Sequence, residues 1–151
     1  DGGQESIVHV ISDDIARTRI TLESLLPRES ISKEADSAVL SITGFPAFAV
    51  DNQAIRAKTE AIICEKLEGR YGCKRFLLDG HQTVIEDSHR QYYDPRELKQ
   101  FMDIECEWPL FFTYLLLNNL FTGDKQAATR YRNKLESLLV EQNGQQLLPE
   151  L

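Results

Sequence analysis

The chain has 151 residues, a net charge of −7 at pH 7, and hydrophobic and charged fractions of 42% and 27%. These fractions are typical of a folded globular protein rather than a disordered or fibrous one. Because contacts to nucleic-acid phosphates need a basic surface, the negative charge argues against nucleic acid as a partner. The odd count of three cysteines favours free thiols in a cytoplasmic protein.

Hydrophobic spacing predicts helices along most of the chain. The first is predicted over Ser12–Leu26, with Pro27 as its stop. A second is predicted to begin near Ser32 and to end before Gly44, because apolar residues recur there every three or four positions. A third is predicted over Asp51–Leu67.

The segment between residues 70 and 103 has no sustained helical or strand period. We predict an ordered but largely irregular loop there, with a short helix near Arg96–Phe101. Two more helices are predicted over Glu107–Phe121 and Asp124–Gln142, with Gly144 as the final stop. The first of these two is apolar on nearly every side, so we expect it to expose apolar surface unless neighbours cover it all round. The sequence thus predicts an all-α fold of about five helices with one long irregular loop.

The loop and its flanks carry the most specific sequence signal. Four segments stand out: Gly69-Arg-Tyr-Gly-Cys-Lys-Arg-Phe-Leu, Asp79-Gly80, Tyr93-Asp94-Pro95 and Ile104-Glu-Cys-Glu-Trp-Pro-Leu-Phe-Phe. In collinear order, and together with Gly44–Val50 and Leu147–Leu151, they resemble the alpha and beta regulatory subunits of phosphorylase kinase. The residues of two segments are slightly more similar to the beta subunit than to the alpha subunit: Phe45–Val50 and Phe111–Asn118.

This resemblance implies a regulatory, non-catalytic role in controlling the phosphorylation of glycogen phosphorylase, and thereby glycogen metabolism. The implied partners are the catalytic gamma subunit, the other regulatory subunit (alpha or beta) and calmodulin as the delta subunit, with glycogen or an oligosaccharide as a further ligand. No cofactor is implied. No Gly-rich phosphate loop or kinase catalytic loop is found in the sequence, which agrees with kinase activity residing in another subunit.

The resemblance also implies a fold and a location. The N-terminal part of these subunits is similar to glucoamylases, which form an (α/α)6 toroid, so residues 1–151 are expected to be a partial glucoamylase-like domain. The family is cytoplasmic and reaches the plasma membrane through a prenyl lipid anchor. That anchor and the calmodulin-binding regions are expected to lie outside this segment.

Three carboxylates, Asp79, Glu105 and Glu107, lie in or beside the loop, where a toroid would hold its sugar groove. Glycoside hydrolysis needs two carboxyl groups roughly 5–9.5 Å apart across the scissile bond. Glu105 and Glu107 are two positions apart and would diverge on a helix, so they make a poor pair. We therefore predict no catalytic residue and treat the three as vestigial candidates. The alternative is a glucan-binding or glucan-hydrolysing glucoamylase-like enzyme.

Arg75 and Trp108 are the sugar-binding candidates, because an indole offers a stacking platform and a guanidinium offers a fork of donors for hydroxyl groups. In the structural alternative, Trp108 packs, Arg75 pairs with Asp79 or Glu105, and Glu107 caps the buried helix. The sequence leaves both interpretations open.

Other reactive side chains give weaker signals. Cys73 stands beside Lys74 and Arg75, and basic neighbours lower a thiol pKa, but a buried inert thiol is the alternative. His81 and His89 flank acidic residues at a spacing that fits no recognised ligand set, so we predict no metal site.

Overall fold

The computed structural model describes residues 12–151 and is mainly helical. Within this range the α-helices are α1 (Ser12–Leu25), α2 (Leu40–Thr43), α3 (Gln53–Leu67), α4 (Pro109–Thr122) and α5 (Lys125–Leu138). The strands are short: β1 (Cys73–Lys74), β2 (Glu107–Trp108), β3 (Val140–Gln142) and β4 (Gln145–Leu147). The predicted all-α class is confirmed. Across residues 12–151, none of the helices has both the length and the apolar character needed to span a bilayer.

Local side-chain chemistry sets the ends of the long helices. Asn52 caps α3, its side-chain oxygen accepting the N–H groups of the first turn at 3.0 and 3.2 Å. Pro109 occupies the first turn of α4, where a missing N–H costs nothing. Gly123 then ends α4 in the left-handed region, with φ of 82°. Asp124 directly caps α5, so the two helices form a tight antiparallel hairpin.

The second predicted helix is wrong in extent. Only a 3-10 turn, Ser37–Val39, and the single turn of α2 are helical in this region. Asp36 is extended and caps the turn, accepting the Ala38 N–H at 2.9 Å. The hydroxyl and N–H of Ser37 donate to the carbonyl oxygens of residues 74 and 75 at 2.7 and 2.8 Å. These long-range bonds hold the preceding residues against the loop instead of in a helix.

The last predicted helix is also too long. It ends at Leu138, and β3 and β4 then form an antiparallel hairpin in which Val140 pairs with Leu147. Asn143 and Gly144 connect them with φ of 54° and 75°, the backbone conformation of a two-residue hairpin turn. Gly144 is therefore a hairpin residue and not a helix stop.

The core lies where α4 packs on α3, α5 and β1. Phe112 and Leu115 of α4 have no exposed surface, and they cluster with Ile63 of α3 and Tyr131 of α5. The opposite side of α4 is uncovered. Phe121 is 60% exposed; its ring stacks on that of Phe45 and meets that of Phe48 edge to face.

We call these three residues, Phe45, Phe48 and Phe121, the aromatic patch. Their ring centroids lie 5.0 to 6.4 Å apart, and Phe45 and Phe48 are 38% and 40% exposed. On α4 itself, Phe111, Phe112 and Leu115 are buried, and the exposed apolar side chains, Leu110, Leu120 and Phe121, lie at the two ends of the helix.

Candidate functional site

The loop returns to the helical core through the pair β1–β2, which frames the predicted site. Cys73 pairs with Trp108 and Lys74 with Glu107, in antiparallel register. Gly72 makes this pairing possible, because a Cβ at this position would lie 2.3 Å from the Trp108 carbonyl carbon. The pairing brings residues 105–108 beside residues 73–75, which the sequence separates by about thirty positions.

Glu105 is buried, and both of its carboxylate oxygens accept hydrogen bonds. Lys74 Nζ donates to its Oε2 at 2.8 Å, and the Leu78 N–H donates to its Oε1 at 2.8 Å. Burial alone raises the pKa of this carboxyl, but the hydrogen bonds from Lys74 and from backbone N–H groups outweigh it and hold the pKa below the ordinary value. A carboxyl group held ionised in this way is poorly suited to act as a general acid.

Asp79 is the second buried carboxylate among the three candidates and is only 6% exposed. Arg75 donates two hydrogen bonds to its carboxylate, from Nε to Oδ2 at 2.5 Å and from Nη2 to Oδ1 at 2.9 Å. The His81 N–H also donates to Oδ1, at 3.1 Å. Two of the five N–H groups of Arg75 are therefore bonded to a carboxylate of its own loop, which is the pairing of the structural alternative.

Glu107 does not cap α4, so that expectation is wrong. Trp108 holds the cap position without a side-chain bond, because Pro109 starts the helix and Glu107 belongs to β2. The Glu107 carboxylate instead accepts the Tyr71 N–H at 2.6 Å. It lies directly over Gly69, where a Cβ would come within 2.0 Å of it. The role of Glu107 is to tie the start of the loop to β2.

Trp108 is partly buried, and its indole N–H has no hydrogen-bond partner within the described residues. The His81 ring lies parallel to the indole, with an interplanar angle of 4° and centroids 6.0 Å apart. The Arg75 guanidinium lies 5.6 Å from the indole centroid. Neighbouring side chains of the loop therefore crowd the expected stacking platform.

The candidates do not line one common cavity. A hollow of about 460 Å³ has Glu105 and Glu107 in its lining, together with Tyr71 and the C-terminal Leu151, but not Arg75, Asp79 or Trp108. A larger groove of about 820 Å³ lies elsewhere, between α3, the end of α4 and the start of α5. No predicted site residue lines that groove.

The thiols are inert rather than activated. Cys73 has no exposed surface, and burial raises the pKa of its thiol far above the ordinary value despite the basic residues next to it in sequence. Burial likewise raises the pKa of Cys64 to about 11. The Cys106 thiol, also with a raised pKa, donates to the Gln82 carbonyl oxygen at 3.3 Å. The reactive interpretation of Cys73 is wrong.

A polar cluster that the sequence did not single out centres on Glu68, at the end of α3. Its carboxylate accepts bonds from three residues of α5: Arg130, the Tyr131 hydroxyl at 2.9 Å and Lys134 Nζ at 2.7 Å. Burial alone raises the pKa of Glu68, but these donors together hold it below the ordinary value. The cluster locks α3 to α5 beside the start of the loop.

The fold and site together define a mainly helical segment whose acidic residues serve as structural acceptors. No family model matches the chain. Its relatives include the phosphorylase b kinase regulatory subunit alpha, skeletal muscle isoform, of Oryctolagus cuniculus, 50% identical over 151 residues. The probable phosphorylase b kinase regulatory subunits alpha of Caenorhabditis elegans and Drosophila melanogaster are 47% and 48% identical over 152 and 150 residues.

These matches cover 99% or more of this chain but 12% of each relative. Over this segment the chain is similar throughout to phosphorylase b kinase regulatory subunits alpha, which confirms the resemblance at the level of the family. The relatives named here are alpha subunits, whereas the preference for beta stays a prediction.

Proposed function

We propose that the chain acts as part of a regulatory, non-catalytic subunit that controls the phosphorylation of glycogen phosphorylase. Its partners would be the catalytic gamma subunit, the other regulatory subunit and calmodulin, in the cytoplasm. The relatives support this proposal because their names describe regulatory subunits of phosphorylase b kinase. The segment would belong to a glucoamylase-like toroid, to which the hairpin of α4 and α5 would contribute one pair of helices. Calmodulin binding and prenylation would be properties of the longer subunit.

The observation that carries the non-catalytic part is the engagement of all three carboxylates. Glu105 is paired with Lys74, Asp79 with Arg75, and Glu107 with a backbone N–H. A glycosidase needs one carboxyl group free to give up a proton and a second facing it across the bond. Here each carboxylate instead stabilises the loop. The glucan-hydrolysing alternative is therefore not favoured.

A segment exchange tests the proposal. The 151 residues replace the homologous segment of the Oryctolagus cuniculus alpha subunit, which is co-expressed with the other kinase subunits. We expect the chimaera to assemble and to retain calcium-dependent control of kinase activity. A chimaera that assembles but leaves the kinase unregulated contradicts the regulatory role.

A second measurement tests the alternative that the chain is part of a glucan-hydrolysing enzyme. Glucose release from maltooligosaccharides is followed for the chimaera and for its Glu105→Gln variant. We expect no release from either. Release that disappears in Glu105→Gln would establish a glycosidase, because the amide keeps the shape of the side chain but cannot transfer the proton.

A further inference from the structure

The groove of about 820 Å³ between α3, the end of α4 and the start of α5 is open along an apolar wall. Phe48 and Phe121 form part of that wall, so the groove continues directly into the aromatic patch. The rings of the patch are between 38% and 60% exposed. Exposed aromatic rings beside an open groove are typical of a surface that a further protein element covers.

The same groove carries two carboxylates that lack a cationic partner. Glu60 and Asp124 both line it, and within residues 12–151 neither forms an ion pair. Glu60 accepts a long hydrogen bond, 3.4 Å from Asn119 Nδ2. Burial, with a smaller contribution from the charge of Asp124, raises the pKa of Glu60. A partly buried carboxylate of this kind is short of hydrogen-bond donors, which a bound cation would supply.

The basic residues of the groove do not supply that cation. Arg130 lines the groove, but its guanidinium is bound to Glu68. Arg56 lies one helical turn before Glu60 on α3 and acts on it only at longer range. Over the described residues, the lining therefore sets one unpaired guanidinium against two unpaired carboxylates. This acidic balance beside apolar rings favours an occupant that is both cationic and apolar.

The segment covers 12% of each relative, so a full-length subunit holds much more chain than these 151 residues. We infer that the groove holds a helix of the same subunit from outside this segment, with one arginine or lysine between apolar side chains. The cation reaches Glu60 and Asp124, and the apolar side chains cover the aromatic patch. A helix that binds a groove in this way presents residues at spacings of three and four. The inference rests on the proposed function only in taking the chain as part of a longer subunit.

Photocrosslinking in the chimaera tests which chain lies in the groove. p-Benzoylphenylalanine replaces Phe121 in one protein and Glu65 in the control, because Glu65 is exposed on α3 and does not line the groove. The assembled kinase is irradiated, and the crosslinked peptides are identified by mass spectrometry. Complexes that contain both isotope-labelled and unlabelled chimaeras separate a contact within one chain from a contact between copies.

We expect position 121 to crosslink to a peptide of its own chain, outside the segment, that carries an arginine or lysine between apolar residues. Position 65 should not crosslink to that peptide. A crosslink from position 121 to another subunit or to a second copy, or no crosslink at all, overturns the inference. Calcium-dependent control of the kinase is measured separately, so a chimaera that regulates the kinase without this crosslink refutes the contact and leaves the proposed function in place.

Calorimetric titration then tests the charge. A synthetic peptide with the sequence of the crosslinked helix is added to the 151-residue parent chain and to its variants Glu60→Gln, Asp124→Asn and Glu65→Gln, whose folds are verified by circular dichroism. Asparagine at position 124 still caps α5. We expect Glu60→Gln to bind about tenfold more weakly than the parent, the size of one charge-assisted hydrogen bond, Asp124→Asn to bind more weakly too, and Glu65→Gln to bind as the parent does. No binding by the parent, or equal affinity of the parent and Glu60→Gln, refutes the inference.

Discussion

Among the described glycines, Gly72 is the one at which an added Cβ would meet backbone atoms, so Gly72→Ala is the most demanding test of how the site is built. The added Cβ would lie 2.3 and 2.4 Å from the Trp108 carbonyl carbon and oxygen, and 2.6 Å from the Pro109 nitrogen. All three atoms are backbone, and ordinary contact begins near 3.4 Å. No rotamer change can relieve the clash, so β1 and β2 must separate by about 1 Å.

The loss of stability expected for Gly72→Ala has two parts. Overpacking of this kind costs about 1–3 kcal/mol. Separating the strands also weakens their ladder, at about 0.5–1.5 kcal/mol for each hydrogen bond. We expect Gly72→Ala to lower the free energy of unfolding by about 3 kcal/mol. The assay is urea unfolding followed by circular dichroism and by the fluorescence of Trp108, which borders the clash.

Two other glycines provide graded controls. At Gly69 the added Cβ meets the end of the Glu107 side chain, which can rotate away, so Gly69→Ala should cost about one hydrogen bond, ~1 kcal/mol. At Gly123 no atom lies within 4 Å, but φ is 82°, so Gly123→Ala should cost about 1–2 kcal/mol of backbone strain. A Gly72→Ala protein as stable as Gly69→Ala would refute the reasoning that the strands cannot give way.

Three further outcomes are expected. Glu107→Gln should be nearly as stable as the parent chain, because an amide oxygen still accepts the Tyr71 N–H. Glu107→Ala should lower the free energy of unfolding by about 0.5–1.5 kcal/mol, and equal losses in the two variants would contradict this role. The pKa of Glu68 is lowered in the folded state, so its stabilising contribution is complete above the ordinary pKa of about 4.3 and is lost as the pH falls through the lowered value. Glu68→Gln should therefore flatten the acid limb of a stability–pH curve, and an unchanged limb would argue against it. Iodoacetamide at pH 8, followed by mass spectrometry, should leave Cys73 unmodified until the chain unfolds, and modification of Cys73 before Cys106 would contradict the burial argument.

Helix signals in this chain are local, and they could be predicted well. Asn52, Pro109 and Gly123 mark helix ends through their own side-chain or backbone chemistry, and the structure places those ends within two residues of the prediction. The hairpin of β3 and β4 is different, because the apolar spacing of α5 continues past its true end. Its three-residue strands are too short for an alternating pattern to compete with that spacing.

The site depends on long-range contacts, which one sequence does not specify. Glu68 meets its partners on α5 across 62 to 66 positions, and nothing near Glu68 in the sequence indicates them. The expectation that Glu107 caps α4 followed from its place before an apolar run. It fails because β2 uses that residue for pairing with β1. The sequence offered Asp79 or Glu105 as the partner of Arg75, and the structure shows Asp79. It did not indicate that Lys74 pairs with Glu105.

The aromatic patch has a consequence for the behaviour of the chain in solution. Apolar contact between exposed rings strengthens on warming and in sulfate, whereas the net charge of −7 keeps molecules apart at low ionic strength. Cold, low-salt buffer should therefore keep the chain dispersed, and ammonium sulfate should precipitate it readily. Phe121, the most exposed of the three rings, is the position where a single polar substitution should shift that solubility limit most.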